Sequence, residues 1–340
     1  MKERITYFDI LRGLAIIGVV AIHSAGIGYQ FQDTSIQFIG TVIWRQLINF
    51  SVPLFLAISG YFLAKKIVEN KKDYFSFIRK QIPRVLIPYI LWSILYLGIN
   101  MIRGAELQSI LFKFFTFQSA VPFYFIILII QYYLLLPVMK KLATSKGLII
   151  STTISIASCL IIFYFRYYTN FDLPLFVYAG VFPTWMIFFV LGIYIKLHGI
   201  ALKKRILNLF VLLGVIISCI ETYFLYSKFH NIGDSITAIK ISSFLYSIAI
   251  ILFLFKKIKI KPNHSKILIF IGKISFGIYL SHIFFLGGIN TIINKFLPFL
   301  NSYAMLKQMI LISLTISCCV LFAFVTRKLN KKYAIKYLGQ

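Results

Sequence analysis

Apolar residues recur along this chain in ten runs, most of them about 20 residues long, separated by short polar segments. A helix of that length crosses a hydrocarbon core of roughly 30 Å. In lipid each run has to be helical, because no water is available there to satisfy open backbone groups. The pattern predicts an all-α, polytopic membrane protein with about ten transmembrane helices. The predicted spans are residues 8–29, 37–62, 84–102, 122–139, 147–165, 175–195, 206–226, 237–255, 267–293 and 304–326.

The ninth run is longer than a span requires and contains four glycines, Gly272, Gly277, Gly287 and Gly288. We therefore expect it to tilt, kink or break. The connections between runs are short, with no linker or low-complexity tract. Residues 1–340 are predicted to form a single membrane-embedded domain without an appended soluble domain.

Composition supports the membrane assignment, since 60% of the residues are hydrophobic and only 13% are charged. A soluble domain usually has about a quarter of its residues charged.

All four cysteines fall inside apolar runs, where cysteine behaves as a small hydrophobic residue. Their spacing matches no zinc-ligand pattern, so we expect neither a disulfide nor a metal site. The four are Cys159, Cys219, Cys318 and Cys319.

The net charge of +27 is compatible with a nucleic-acid binder, but the positions of the cations argue against one. If the N-terminus is inside the cell, 26 of the 36 Lys and Arg residues fall on inside segments and eight on outside segments. This bias holds at every successive loop and follows the positive-inside rule. The sequence predicts that both termini are cytoplasmic and that no nucleic acid is bound.

Among the ionisable residues of the predicted spans, four stand out as candidates: Arg12 and His23 in the first span, Glu221 in the seventh and His282 in the ninth. A charge near the bilayer centre costs about 2.5–3.5 kcal/mol on insertion scales, so such residues are candidates for function. His23, Glu221 and His282 all lie well inside spans that begin at the cytoplasmic side. We expect them at similar depth.

Arg12 and His23 are eleven residues apart, which returns to within about 20° of the same helix face with a rise of about 16 Å. Asp9 lies one turn before Arg12, at a spacing where two side chains pair. One face of the first predicted helix would then carry Arg12 near its cytoplasmic end and His23 closer to the opposite side of the membrane. The alternative is structural: Arg12 reaches the cytoplasmic headgroups and His23 hydrogen-bonds a neighbouring helix.

Glu221 has three possible partners at this stage. It could orient His23 and raise its basicity, as a carboxylate does for a catalytic imidazole. It could equally pair with His282 or with a tyrosine hydroxyl for helix packing alone.

In the first predicted span, Asp9, Arg12 and Gly13 precede His23. Four further distinctive segments follow along the chain: Val52-Pro53-Leu54-Phe55-Leu56-Ala57-Ile58-Ser59-Gly60-Tyr61-Phe62, Pro83-Arg84-Val85-Leu86-Ile87-Pro88-Tyr89, Phe123-Tyr124-Phe125 with Tyr132 to Pro137, and Gly272-Lys273-Ile274-Ser275-Phe276-Gly277-Ile278-Tyr279-Leu280-Ser281-His282. In this order they resemble the motifs of the acyltransferase-3 family of bacterial membrane acyltransferases, whose hallmark is an Asp-x-x-Arg-Gly segment followed by a histidine. The resemblance covers nearly the whole chain.

Two positions depart from the family pattern. Gln81 stands where a second arginine often precedes the one matched by Arg84, although Arg79 and Lys80 are close. Val121 is the residue nearest to the place where a histidine often precedes the aromatic pair of the fourth span. Both departures bear on how an acyl donor or an acyl acceptor is bound, and not on the resemblance itself.

The resemblance implies transfer of an acyl group, usually acetyl, from cytoplasmic acyl-coenzyme A to a hydroxyl of a cell-surface glycan or its lipid-linked precursor. His23 would be the general base, with Glu221 as its candidate partner. Arg12 and Arg84, with Asp9, would serve the phosphate-rich donor, because arginine suits bidentate phosphate contact. His282, Tyr279 and Tyr124 are further candidates from the matched motifs.

The expected setting is a bacterial plasma membrane, with acyl-CoA (acetyl-CoA above all) as donor substrate, the lipid bilayer as surroundings and no metal. Direct transfer and a covalent acyl-enzyme both remain open. The rival class is a transporter or flippase of a glycan or acylated intermediate, because glycine- and proline-containing spans with buried ionisable groups also suit alternating access. No inverted internal repeat supports that rival.

Overall fold

The computed structural model describes residues 6–66, 68, 70–169, 171, 173–256 and 266–340, and no β-strand occurs among them. Short 3-10 helices cover Ala25–Gln30, Val121–Phe123 and Pro298–Ser302. The α-helices are α1 (Thr6–Ser24), α2 (Ile36–Ile48), α3 (Ser51–Leu63), α4 (Lys71–Ile102), α5 (Leu107–Phe115), α6 (Tyr124–Leu134), α7 (Leu136–Lys141), α8 (Ser145–Tyr168), α9 (Leu175–Tyr178), α10 (Phe182–His198), α11 (Lys204–Phe229), α12 (Ile232–Ser235), α13 (Ile241–Lys256), α14 (Lys266–Lys273), α15 (Ser275–Phe296) and α16 (Ala304–Leu338).

Every predicted run is occupied by apolar helix. Within the described residues, seven helical segments are long and apolar enough to cross a bilayer, and three shorter apolar helices accompany them. The shorter ones, Val121–Leu134, Phe182–His198 and Ile241–Lys256, fall on the fourth, sixth and eighth predicted spans. The prediction of an all-α, polytopic membrane protein is confirmed. The long segments are Thr6–Gln30, Ile36–Leu63, Lys71–Ile102, Ser145–Tyr168, Lys204–Phe229, Ser275–Phe296 and Ala304–Leu338.

The ninth run breaks, as its glycines led us to expect. Helix α14 ends at Lys273 and α15 begins at Ser275, with Ile274 between them at φ −105° and ψ 11°. The fourth and sixth runs also divide, each next to a proline (Pro137 and Pro183) that has no backbone N–H to donate.

The start of α4 differs from the predicted span, which began at residue 84. The helix begins at Lys71, because the Asn70 side chain accepts a hydrogen bond from the Asp73 backbone N–H at 2.8 Å and caps it. Hydropathy does not detect this polar first half. The amphipathic α5 in the following loop was likewise not predicted.

By internal contacts the described chain divides into two compact units. The first comprises residues 1–55 and 200–324, and the second comprises 56–199 and 325–340. The expectations of one domain and of cytoplasmic termini remain predictions. Part of the charge bias rests on Lys2, Arg4 and the lysines between 257 and 261, which lie outside the described residues.

In the second unit, side chains of α6 and α8 satisfy the polar backbone at the start of α10. The Tyr132 hydroxyl donates to the carbonyl of Phe182 at 2.7 Å. The Gln131 amide donates to the Gly180 carbonyl at 2.6 Å and accepts from the Phe182 N–H at 3.1 Å. Ser155 of α8 donates to the Pro183 carbonyl at 3.0 Å. These bonds satisfy backbone groups that lipid would leave without a partner.

In the first unit, α1 packs directly against α14 through glycine. A Cβ on Gly13 would lie 2.6 Å from the carbonyl oxygen of Leu268, and a Cβ on Gly272 would overlap the carbonyl oxygen of Asp9. No other residue leaves the two backbones room to approach so closely. The glycines of the first and last matched motifs therefore meet in one helix contact.

We expect Gly272→Ala to destabilise the protein by about 1–3 kcal/mol, because the added methyl group overpacks the α1–α14 contact. The measurement is thermal unfolding of the detergent-solubilised full chain. Gly288→Ala, on α15 with nothing within 4 Å of its Cβ position, is the matched control. It should unfold at an equal or slightly higher temperature. Equal behaviour of the two variants would contradict the close approach.

Candidate active site

His23 and His282 lie side by side in the first unit. His23 is in the last turn of α1 and is partly exposed, whereas His282 on α15 is fully buried. Their ring centroids are 5.3 Å apart and the rings are tilted by 48°. The two histidines that the sequence placed at similar depth are thus neighbours.

The backbone of α15 determines which nitrogen of His282 carries the proton. Its Nδ1 lies 2.7 Å from the carbonyl oxygen of Tyr279 and 3.2 Å from that of Ile278. Carbonyl oxygens only accept, so Nδ1 must be the N–H donor, and Nε2 of the neutral ring is left with its lone pair. Nε2 is buried and has no hydrogen-bond partner among the described residues. Burying an acceptor without a hydrogen-bond partner costs free energy, so this nitrogen is a candidate for a functional role.

A cavity of ≈ 820 Å³ lies beside His23, within the size range of small-molecule sites. It is walled by the end of α1 with the 3-10 helix that follows, by the C-terminal half of α15 with the 3-10 helix after it, and by the start of α16. Apolar side chains alternate there with amides and one amine. The lining residues are His23, Ser24, Gly26, Ile27, Gln30, Phe31, Ile283, Leu286, Gly287, Asn290, Asn294, Asn301, Lys307 and Leu311.

Arg12 and Asp9 form the predicted pair one helical turn apart. The Arg12 Nη1 lies 3.1 Å from the Asp9 Oδ1. The Asp9 side chain is 1% exposed and that of Arg12 is 24% exposed. The ion pair supplies the buried carboxylate with a counter-charge, which a carboxylate in this position requires. Arg12 is not among the residues that line the His23 cavity.

Glu221 has a different partner from those the sequence suggested. Its carboxylate accepts a hydrogen bond from the backbone N–H of Ser242, in the first turn of α13, at 3.0 Å. No hydrogen bond or ion pair joins it to His23 or His282 in the described chain. A carboxylate at a helix N-terminus is stabilised by the helix dipole, so the geometry fits a role in joining α11 to α13.

A polar network continues from this point. Lys240 is 3% exposed and its ammonium donates to the carbonyls of Ser218 and Ser235 at 3.2 and 3.1 Å, and also to the Thr222 hydroxyl. The Ser218 hydroxyl donates to the Gln46 side chain at 2.9 Å. The network holds α2, α11 and the segment before α13 together.

The remaining candidates are placed as follows. The carbonyl oxygen of Tyr279 accepts the hydrogen bond from His282 Nδ1, and the centroids of the two rings are 6.2 Å apart. Arg84 and Tyr124 belong to the second unit, where Arg84 is exposed on α4 and Tyr124 begins α6. In the described residues no group of three or more His, Cys, Asp or Glu side chains could hold a metal ion.

Sequence reasoning missed the polar wall of the cavity. Lys307 falls in the tenth predicted span but was counted among the eight outside cations, and the structure places it in the first turn of α16 with 2% exposure. Asn290 lies in the ninth apolar run and Asn294 one residue beyond its predicted end. Because the two are four residues apart on α15, they share one helix face. That spacing was a usable signal.

Comparison with known proteins agrees with the motifs. A family model described as "Acyltransferase domain" matches residues 5–326. The chain belongs to the acyltransferase-3 family. A Bacillus subtilis (strain 168) protein named as a membrane-bound acyltransferase, YfiQ, is 27% identical over 303 residues, which cover 81% of this chain and 79% of that protein. No solved structure matches the chain significantly.

Family membership identifies the chain as a multi-pass membrane acyltransferase. Two family motifs acquire a structural explanation. The backbone of Asp9, from the first motif, packs on Gly272, from the last, and the same last motif ends at His282 beside His23. The motifs that lie farthest apart in this acyltransferase thus build one site.

We expect Arg12→Gln to destabilise the acyltransferase by about 1–3 kcal/mol, because it removes the ion pair that the buried Asp9 carboxylate makes with Arg12. Asp9→Asn added to Arg12→Gln should restore most of that loss, since neither charge of this pair is then present. The double-mutant cycle is measured by thermal unfolding of the solubilised chain. Additive losses would show that the pair is not coupled. Arg84→Gln, which changes an exposed side chain, is the control and should have little effect.

Proposed function

We propose that this acyltransferase moves an acyl group, in the first place acetyl, from cytoplasmic acyl-CoA to a hydroxyl of a cell-surface glycan or its lipid-linked precursor. The observation that carries the proposal is the position of His23. Its imidazole stands on the wall of a cavity large enough for a sugar ring and packs against a second histidine with a fixed tautomer. Family membership supplies the reaction class.

His23 acts in this proposal as the general base. It takes the proton of the acceptor hydroxyl while the hydroxyl oxygen attacks the thioester carbonyl carbon. The new C–O ester bond forms, the C–S bond breaks, and the CoA thiolate leaves and recovers a proton from the imidazolium. A histidine suits both transfers, because its ordinary pKa lies near the operating pH.

His282 is proposed as a positioning residue for His23. Its Nδ1–H is held by the Tyr279 carbonyl, so its Nε2 presents a lone pair in an otherwise buried setting. In this proposal, Nε2 accepts a hydrogen bond from the neighbouring imidazole once that ring is protonated, and so stabilises its charged form. Glu221, which binds the Ser242 N–H instead of His23, supports the site through the α11–α13 contact.

The donor is proposed to bind at the cytoplasmic ends of the spans. Coenzyme A is rich in phosphate, so a cationic mouth attracts it, and the arginines Arg12 and Arg84 offer bidentate contacts. Asp9 holds the Arg12 guanidinium in place at 3.1 Å. Arg12 and His23 are about 16 Å apart along the helix axis. That separation suits a donor whose thioester lies at the end of a long pantetheine arm, away from its phosphates.

The acceptor is proposed to enter from the other side of a bacterial plasma membrane, with both termini in the cytoplasm. The positive-inside bias supports this orientation. The cavity residues Asn290, Asn294 and Gln30 carry the carboxamide donors and acceptors that suit a hydroxyl-rich ligand. Tyr124 and Tyr279 remain candidates for lining the path of either substrate.

We expect His23→Ala to lower acyl transfer by about a hundredfold or more, because the reaction loses its general base. The measurement is the acetyl content of surface glycans by mass spectrometry, in cells that carry the variant in place of the native chain. Protein abundance and membrane insertion should be unchanged, since His23 is partly exposed.

The control is His230→Asn, at an exposed histidine with φ 52° that asparagine tolerates. It should retain full acetylation. Full acetylation in His23→Ala would remove the base assignment. Export of an unmodified glycan that depends on this protein, without acetyl transfer, would instead favour the transporter class.

A further inference from the structure

Lys307 is a buried cation without a counter-ion in the first unit. The residue is 2% exposed, and its ammonium donates to the side-chain oxygens of Asn294 and Asn301, both at 2.6 Å. Both partners are neutral. Across the described part of the chain, no carboxylate lies within ion-pair distance of this ammonium. A lone buried charge is costly unless something of opposite sign completes the site.

The surroundings of Lys307 strengthen the positive potential. The residue lies in the first turn of α16, where the positive end of the helix dipole already favours an anion. A cation would not be placed there for helix stability, because it adds to the positive end of the dipole. Asn294 on α15 and Asn301 in the following 3-10 helix orient the ammonium from two sides.

Lys307 lines the same ≈ 820 Å³ cavity as His23. The residues that line this cavity include no Asp or Glu, so nothing on its wall neutralises the ammonium. The other polar side chains on the wall are the His23 imidazole, the Ser24 hydroxyl and four carboxamides, and carboxamides suit the binding of hydroxyls. The cavity thus offers a base, hydroxyl-binding amides and a preformed position for one negative charge.

We propose that the acyl acceptor carries an anionic group, a carboxylate or phosphate, which binds Lys307 while a nearby hydroxyl of the same molecule faces His23. This inference rests on the proposed function, since it names the class of acceptor for that site: an acidic or phosphorylated sugar. The ion pair fixes the acceptor in register, so that one hydroxyl among several is presented to the imidazole.

The test uses the purified full-length protein in phosphatidylcholine vesicles, with acetyl-CoA as donor and three acceptor probes: glucose, glucuronate and glucose 1-phosphate. For the native chain, the KM for acetylation of the two charged probes should lie about tenfold or more below that of glucose, which corresponds to ~1.4 kcal/mol. Lys307→Gln should abolish this preference, so that the KM values for the three probes become similar. Lys307→Arg should keep most of it, because the charge remains.

Lys295→Gln is the matched control, because Lys295 is a nearby lysine of α15 that is exposed. It should retain the full preference. Equal KM values for glucose and the charged probes in the native chain would overturn the inference and leave acyl transfer intact. This comparison of KM values uses the native chain alone, so it does not depend on the folding of any variant. A preference retained in Lys307→Gln would overturn the inference as well.

Thermal unfolding without acetyl-CoA separates this inference from the proposed function. Glucuronate and glucose 1-phosphate should stabilise the native chain more than glucose does, and should not stabilise Lys307→Gln, even if no probe is acetylated. Absence of that stabilisation would overturn the anion site.

Adding phosphatidylglycerol to the vesicles tests whether the anion that binds Lys307 is a lipid headgroup. If that lipid alone gives the Lys307-dependent stabilisation, the anion is a headgroup and the acceptor proposal is wrong.

Discussion

The close approach of α1 to α14, which only glycine permits, is the contact on which the candidate site depends. Gly13 lies against the Leu268 carbonyl and Gly272 against that of Asp9, so the two backbones meet without intervening side chains. Helix α15 follows α14 after a single non-helical residue, Ile274. The position of α15 relative to α1 is therefore set by this contact, and with it the 5.3 Å separation of His23 and His282. A wider contact would separate the two imidazoles.

Lipid explains why the polar groups of the first unit are arranged as they are. No water is available in the hydrocarbon core, so charged and polar side chains are satisfied within the protein. Asp9 pairs with Arg12, Glu221 holds the Ser242 N–H, and Lys240 is surrounded by oxygen atoms of α11 and the segment before α13. Two groups near His23 differ from these. The His282 Nε2 has no hydrogen-bond partner, and the Lys307 ammonium, which like that of Lys240 has only neutral oxygen partners, lies on the wall of the His23 cavity. An enzyme keeps such groups where a reacting molecule completes them.

The sequence predicted the features that depend on local pattern. Hydrophobic run length located all ten apolar helices, the glycines of the ninth run marked its break, and the three-residue spacing of Asp9 and Arg12 marked their ion pair. It did not predict features decided by tertiary packing. No local sequence pattern indicates that Glu221 binds the Ser242 N–H and not a histidine. No local pattern indicates that His282 lies beside His23 either. Lys307 was counted among the outside cations although the tenth predicted span already included it, because charge patterning alone does not show that tertiary packing buries its side chain.

We propose that His23 and His282 act as one unit on the acceptor hydroxyl. A double-mutant cycle on the rate of acyl transfer tests this most directly, with His23→Ala and His282→Asn, whose amide can replace the Nδ1 donor to Tyr279 and lacks the Nε2 acceptor. Each single variant should lose activity, and the double variant should be no slower than His23→Ala alone. Losses that multiply in the double variant, or full activity in His282→Asn, would contradict it.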